Sequence, residues 1–267
     1  MMDHAEAFGW SRDGSSVGYC FNNGGVEILW CELVTPDGQH ERFDDGSTTT
    51  KGSVDPARRA ANTARLAKLG LAVPRAPSWP YADIELTWAV TPGRQEPLPP
   101  IAGVLRVGGR MNGESPVFHV ALSDTSLGGY HDRIHPEMVS LSSDGEYLGV
   151  IAHAYAGEYS DSFPTAVVPV GELAAHVYND TGLVHHKRGD FARAAELFKR
   201  ATFANPSFAL GAYNLACADA RLGSPETEAA LGLAIARGGD DARKKAVVDA
   251  DLEGVRTTPW FQRLVQP

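Results

Sequence analysis

The feature that most restricts the fold is a change of hydrophobic period at Gly171-Glu172. Before it, short runs alternate apolar and polar residues and are broken by Asn-Gly and Asp-Gly pairs, the pattern of half-buried strands joined by tight turns. After it, the chain is rich in alanine and repeats its apolar positions every three to four residues, the period of an amphipathic helix. A chain of this kind is expected to fold as α+β with two domains. Residues 1–171 should be mainly antiparallel β, a sandwich or half-barrel, with one helix. Residues 172–267 should be all-α helical hairpins.

The β reading can be made strand by strand. Val17–Phe21 and Val26–Cys31 flank Asn22-Asn23-Gly24-Gly25, a hairpin tip whose Asn-Gly supplies positive φ angles. Thr35-Pro36-Asp37-Gly38 makes a second turn, and Gln39–Phe43 reads as a third strand. Asp55, Pro56 and Gly70 then cap, open and stop a helix. Its small face (Ala57, Ala60, Ala61, Ala64) is expected to lie on a sheet, and Arg58, Arg59, Arg65 and Lys68 to stay in water. Ile84, Leu86, Trp88 and Val90 alternate with polar or small residues, which predicts a strand with one buried face. Further strands are expected at Ala102–Val107, Val117–Leu122, Glu146–Ala154 and Thr165–Val170.

Charge narrows the partners. The net charge is −9, and up to Leu173 there are 12 basic against 22 acidic residues, whereas beyond it the balance is 12 against 11. An acidic surface repels phosphate backbones, so no nucleic-acid partner is expected. No apolar run approaches the roughly 20 residues that span a bilayer, so no membrane insertion is expected either. Met1–Glu6 lacks the basic start and apolar stretch of an export leader, which points to the cytoplasm by default. The doubled Met also fits an exported protein whose signal peptide has been removed. Three cysteines exclude a dense disulfide framework. Cys20 and Cys31 can meet, leaving Cys217 over, but all three are expected as small buried hydrophobes.

Within the helical third two segments look alike. One carries Asp180, Gly182, Gly189-Asp190-Phe191, Ala194, Phe198, Ala201 and Pro206. The other carries Leu210, Tyr213-Asn214, Cys217-Ala218, Gly223, Leu231 and Ala234. Asp180 and Asn214 stand 34 residues apart. This resembles the tetratricopeptide repeat, a helix–turn–helix unit of that length in which small residues let paired helices approach and an aromatic fills the hole beside them. The second copy departs from the pattern at Ser224-Pro225 and Thr227. Asp249–Leu252, Val255-Arg256, Pro259 and Phe261 resemble the tail that closes bacterial arrays of this type. The resemblance covers Glu172 to Val265. It implies a concave groove lined by His176, Asn179, Leu183, His186 and Lys187 in the first repeat, and by Leu210, Tyr213, Cys217 and Arg221 in the second. The Lys/Asn/Arg clamp for a C-terminal carboxylate is incomplete. In the β part, Trp10-Ser11-Arg12-Asp13-Gly14 and Leu141-Ser142-Ser143-Asp144-Gly145 share the form apolar–Ser–x–Asp–Gly. They are similar to hairpins of TolB-type β-propeller repeats, with Arg12 and Ser143 in place of proline.

Signs of catalysis are sparse. The Gly-x-Ser-x-Gly string Gly14–Gly18 runs into a strand and not a helix, so it is no nucleophile elbow, and Gly108-Gly109 with Gly113 forms neither a Walker loop nor a dinucleotide fingerprint. Arg106 and Arg110 beside those glycines are candidates for an anion. His131 and His135, four apart with Glu137 nearby, are candidate metal ligands, and His119 and His153 complete a site if their strands converge. Pro136 and the preceding glycines argue against a helix, so this stretch is otherwise a polar loop over a sheet edge.

The leading expectation is a non-enzymatic adaptor that binds a protein or peptide in the helical groove, with no cofactor. The alternative is a ligand- or metal-binding β domain, hydrolytic in one form, with the repeats as a docking appendage. A structural subunit of a larger assembly is a third reading. Two repeats and a cap fall short of a self-sufficient solenoid, so the first helix or its neighbours should dock against the β domain and the two parts should unfold together. Calorimetry should give one transition; two well-separated ones would contradict this.

Overall fold

The computed structural model describes residues 5–23, 28–44, 56–73, 79–93, 103–123, 133–155 and 161–266. It is α+β, with antiparallel sheets first and helices after. The strands are β1 (Ala5–Trp10), β2 (Val17–Asn23), β3 (Ile28–Val34) and β4 (His40–Asp44), then β5 (Ile84–Thr91), β6 (Val104–Met111), β7 (Val117–Leu122), β8 (Arg133–Leu141), β9 (Tyr147–Tyr155), β10 (Asp161–Ser162) and β11 (Thr165–Pro169). The helices are α1 (Pro56–Leu69), α2 (Val170–Lys187), α3 (Phe191–Ala204), α4 (Ala209–Leu222), α5 (Thr227–Val248) and α6 (Pro259–Val265), with a 3-10 turn at Ala250–Val255. Contacts divide the chain into two units. One holds Met1–Pro80, Trp88–Val107 and Val120–Val170; the other holds Tyr81–Thr87, Gly108–His119 and Gly171–Pro267.

In the first unit β1–β4 form a four-stranded antiparallel meander, one strand more than the alternation suggested. The Asn-Gly hairpin tip lies outside the described residues. A second sheet centres on β9, with β8 on one edge and β10 and β11 on the other. Trp10 joins the two. Its indole lies over Gly149, where a Cβ would come within 2.9 Å of the ring, and its Nε1 donates to Ser140 O at 3.3 Å. Val17, Tyr19, Val34, Met138, Ile151 and Phe163 complete this core.

Several expectations are corrected here. Arg133–Leu141 is a strand, not a loop: the register shifts between Pro136 and Met138, and this bulge accommodates a proline that cannot donate to the ladder. The alanine face of α1 is exposed, and it is Arg65 that turns inward, pairing with Glu41 and stacking 4.1 Å over Phe43. In β5 only Ile84 of the apolar row is buried, while Trp88 and Val90 remain 53% and 41% exposed. Cys20 and Cys31 face each other across β2–β3 and form a disulfide, and Cys217 is the free, buried thiol. The glycine string after Arg106 is structural. Asn112 and Gly113 take positive φ (35° and 85°) at the β6–β7 turn, and Arg110 pairs with Glu85 at 2.7 Å.

In the second unit α2 is buried nearly all round, through Leu173, Ala174, Ala175, Val177, Tyr178, Asn179, Thr181 and Gly182. β elements cover one side. A Cβ at Gly109 would sit 3.0 Å from Val177 Cγ2, and Tyr178 Oη donates to Asp83 Oδ1 at 2.8 Å. On its other side a Cβ at Gly182 would meet the Phe198 ring at 2.7 Å. Phe198, Ala194 and Ala201 are fully buried. Asp190 caps α3, and Gly223 ends α4 in the left-handed region. A second core joins α4 and α5 to Leu252 of the 3-10 turn and Phe261 of α6.

Gly182→Ala tests the close approach. Helix propensity alone favours alanine by roughly 1 kcal/mol. Overpacking against a buried ring costs about 1–3 kcal/mol. Packing should win, destabilising the protein by a net ~0–2 kcal/mol and lowering the urea midpoint accordingly; a raised midpoint would mean that the ring yields freely.

Candidate functional site

The groove positions expected from the repeat pattern separate into three sets. Tyr213, Cys217, Arg221 and His186 converge on the acidic segment that follows α5. Tyr213 Oη donates to Asp249 Oδ2 at 3.0 Å, and Cys217 Sγ lies 3.9 Å from the same oxygen. Arg221 Nη1 donates to Asp251 Oδ1 at 3.1 Å and stacks 4.6 Å over Phe191. His186 Nε2 is 3.3 Å from Asp251 Oδ2. Lys245, absent from the sequence expectation, places its ammonium 4.1 Å over the Tyr213 ring. Between the two carboxylates and the core, Leu252 is fully buried. The chain's own segment thus covers these side chains of α4 and the end of α2.

The second set is buried or removed from it. Asn179 Oδ1 accepts from Asn214 Nδ2 at 2.8 Å, a buried bridge between α2 and α4. Leu183 packs on Phe198, Ala194 and Ala218. His176 stacks on His119 of β7 (ring centroids 3.9 Å, 19° between planes), and His119 Nε2 lies 2.9 Å from Glu172 Oε1. Lys187 and Leu210 form the third set and face solvent.

Burial sets the protonation states. Burial first, then Asp249 and Asp251, pushes the Cys217 thiol well above its ordinary range. Burial, with Cys217 and Asp249 adding to it, does the same for Tyr213. Both therefore stay protonated, as the donor role of Tyr213 toward Asp249 requires. Burial, reinforced by His119, lowers the pKa of His176.

Of the metal candidates, His131 lies outside the described residues. His135 and His153 are cross-strand partners on β8 and β9, their rings edge-on at 4.9 Å. With Glu137 they form a cluster whose ligand atoms lie within 4.8 Å of one another. His119 belongs to a different cluster, with Glu172 and His176; a third joins Cys217, Asp249 and Asp251. Neither Glu172 nor the two aspartates was expected as a metal ligand from the sequence. Glu172 carried a signal, standing one helical turn before His176 on the same face.

Comparison with family models, curated proteins and solved structures finds no match in any of the three. Among the described residues no helix is long and apolar enough to cross a membrane.

Thiol counting checks the cysteine assignment. The native protein should show almost no reaction with a thiol reagent at neutral pH, because the one free thiol is buried and protonated. Unfolding without reductant should expose one thiol, and unfolding with reductant three. Two or three reactive thiols without reductant would exclude the Cys20–Cys31 bond.

Proposed function

We propose that this chain is a non-enzymatic interaction protein. On this reading the helical third is a tetratricopeptide-like pair of hairpins with a cap, and its groove takes an acidic segment of a protein or peptide. The observation that carries it is the convergence of Tyr213, Arg221, His186 and Lys245 on a segment bearing Asp249 and Asp251. A groove that already holds such a segment in cis has the chemistry to hold one in trans. Burial of Leu252 supplies the larger part of the hold, about 1.5–3 kcal/mol for a fully buried leucine. The Arg221–Asp251 pair is half exposed and is worth about 1 kcal/mol or less. The charges therefore select the ligand more than they anchor it. The small residues Gly182, Ala194 and Ala201, at the close helix contacts around Phe198, support the repeat reading.

On the same proposal residues 1–171 are a sandwich or half-barrel whose Ser-x-Asp-Gly turns are similar to those of TolB-type repeats. The cross-strand disulfide favours the exported reading over the cytoplasmic one, because such bonds persist in oxidising compartments. A metal-binding β domain is the second reading, favoured by the His135–Glu137–His153 cluster.

The test uses a labelled peptide carrying residues 247–257 and the Asp249→Ala/Asp251→Ala variant, in which the cis segment is weakened. Fluorescence anisotropy should show saturable binding, weaker to the unaltered chain and weakened about fivefold when Arg221→Glu is added, the scale of a half-exposed ion pair. No binding by a variant with native far-UV dichroism, or binding indifferent to Arg221→Glu, would overturn the proposal.

A further inference from the structure

We infer that His119, Glu172 and His176 form a binding site for a divalent cation of the zinc class. None of the three touches the acidic segment around Asp249 and Asp251. Glu172 and His176 stand four apart on α2 and so share one face. His119 comes from β7, 53 residues before Glu172, and approaches the same point. Donors from two elements that lie far apart in sequence are the arrangement that packing can hold in place. One nitrogen or oxygen from each residue lies within 4.8 Å of the others. Donors around a tetrahedral ion with bonds of about 2.0–2.2 Å stand closer together than that, so the side chains must draw in, and the stacked rings of His119 and His176 must turn, to bind it.

The donor set selects the ion. Two imidazoles and one carboxylate suit zinc and its neighbours, while calcium and magnesium take oxygen ligands. Among the described residues, Glu172 has His119 as its ion-pair partner, so no lysine or arginine competes for its charge. The Cys217–Asp249–Asp251 cluster differs on this point, because Arg221 holds Asp251 and Tyr213 donates to Asp249. The His135 cluster is also less well held, since His135 and Glu137 are both exposed. At the proposed site His119 and Glu172 are 21% and 39% exposed, enough for an ion to enter. Asp180, one turn beyond His176 on the same helix, adds negative charge within electrostatic reach of it. Three protein ligands leave at least one coordination position for water or a further ligand.

Zinc titration of the EDTA-stripped full chain decides the matter. The His135→Gln/His153→Gln background removes the other histidine cluster. Calorimetry with zinc chloride in that background should show one bound ion. Adding Glu172→Gln, His119→Gln or His176→Gln should weaken binding at least about tenfold. Cobalt should give a visible absorption band in the same background, abolished by His176→Gln. Glu172 is partly exposed, so Glu172→Gln keeps the test valid if a histidine variant misfolds by circular dichroism. Absence of zinc binding in the background protein, or binding unchanged by Glu172→Gln, would overturn the assignment.

Discussion

Helix α2 is the element on which the helical unit depends, because it must be approached closely from two directions at once. Gly109 allows a β6 backbone to lie against Val177, and Gly182 allows the Phe198 ring of α3 to lie against α2 itself. Added to these, the Asn179–Asn214 bridge fixes α4. A buried amide pair of this kind holds one register, since sliding by a residue leaves both amides unpaired at a cost of ~1–3 kcal/mol each. A helix covered this completely has little face left for a peptide. That is why Asn179 is buried and why His176 meets His119 instead of solvent.

The same fact shows what was legible in the sequence. The change of period at Gly171 and the helical third are visible there, because both follow from spacing alone. The close approach of Phe198 to Gly182 is what the resemblance to the tetratricopeptide repeat implies. The cover over α2 is not visible. It comes from Tyr81–Thr87 and Gly108–His119. Alternation predicts strands at Ile84–Val90 and Val117–Leu122, but the strand between them is expected to end at Val107 and instead runs to Met111, and no local pattern encodes their tertiary partner. Trp88 and Val90 make the complementary point. Their alternation with polar residues predicts a strand, yet the period says nothing about which neighbour covers the apolar side.

The candidate sites follow the same division. Tyr213, Cys217 and Arg221 lie on one helix face and are singled out by what the resemblance to the tetratricopeptide repeat implies. Their occupant is a 3-10 turn that begins after α5 and owes its position to Leu252 and to the Asp249 cap on Asp251 N at 3.1 Å. Glu172 was within reach of the sequence, one turn from His176, but its meeting with His119 spans 53 residues. The Cys20–Cys31 bond is a third case. Two cysteines in neighbouring strands are opposite in only one register, and a shift of one residue puts them on different faces.

The turns of the β unit show a rule the sequence states only in part. Ser11 and Ser142 each donate through Oγ to the aspartate two residues on, at 2.7 and 2.5 Å, and each accepts the backbone N–H five residues on, both at 3.0 Å. Gly14 and Gly145 follow with φ of 71° and 77°. Thr35, Asp37 and Gly38 repeat the device one residue shorter, with Thr35 Oγ1 donating to Asp37 and accepting from Gln39 N at 3.1 Å. The hydroxyl bonds, together with the Ser15 backbone, hold Asp13 at a pKa of about 2, and the Ser142 hydroxyl likewise lowers Asp144. The second position carries Arg12, Pro36 and Ser143 in the three turns, so proline there pre-sets a conformation that other residues also reach. Hydroxyl, carboxylate and glycine are the parts the turn requires, because each supplies a bond or a positive φ that no other group in the loop replaces.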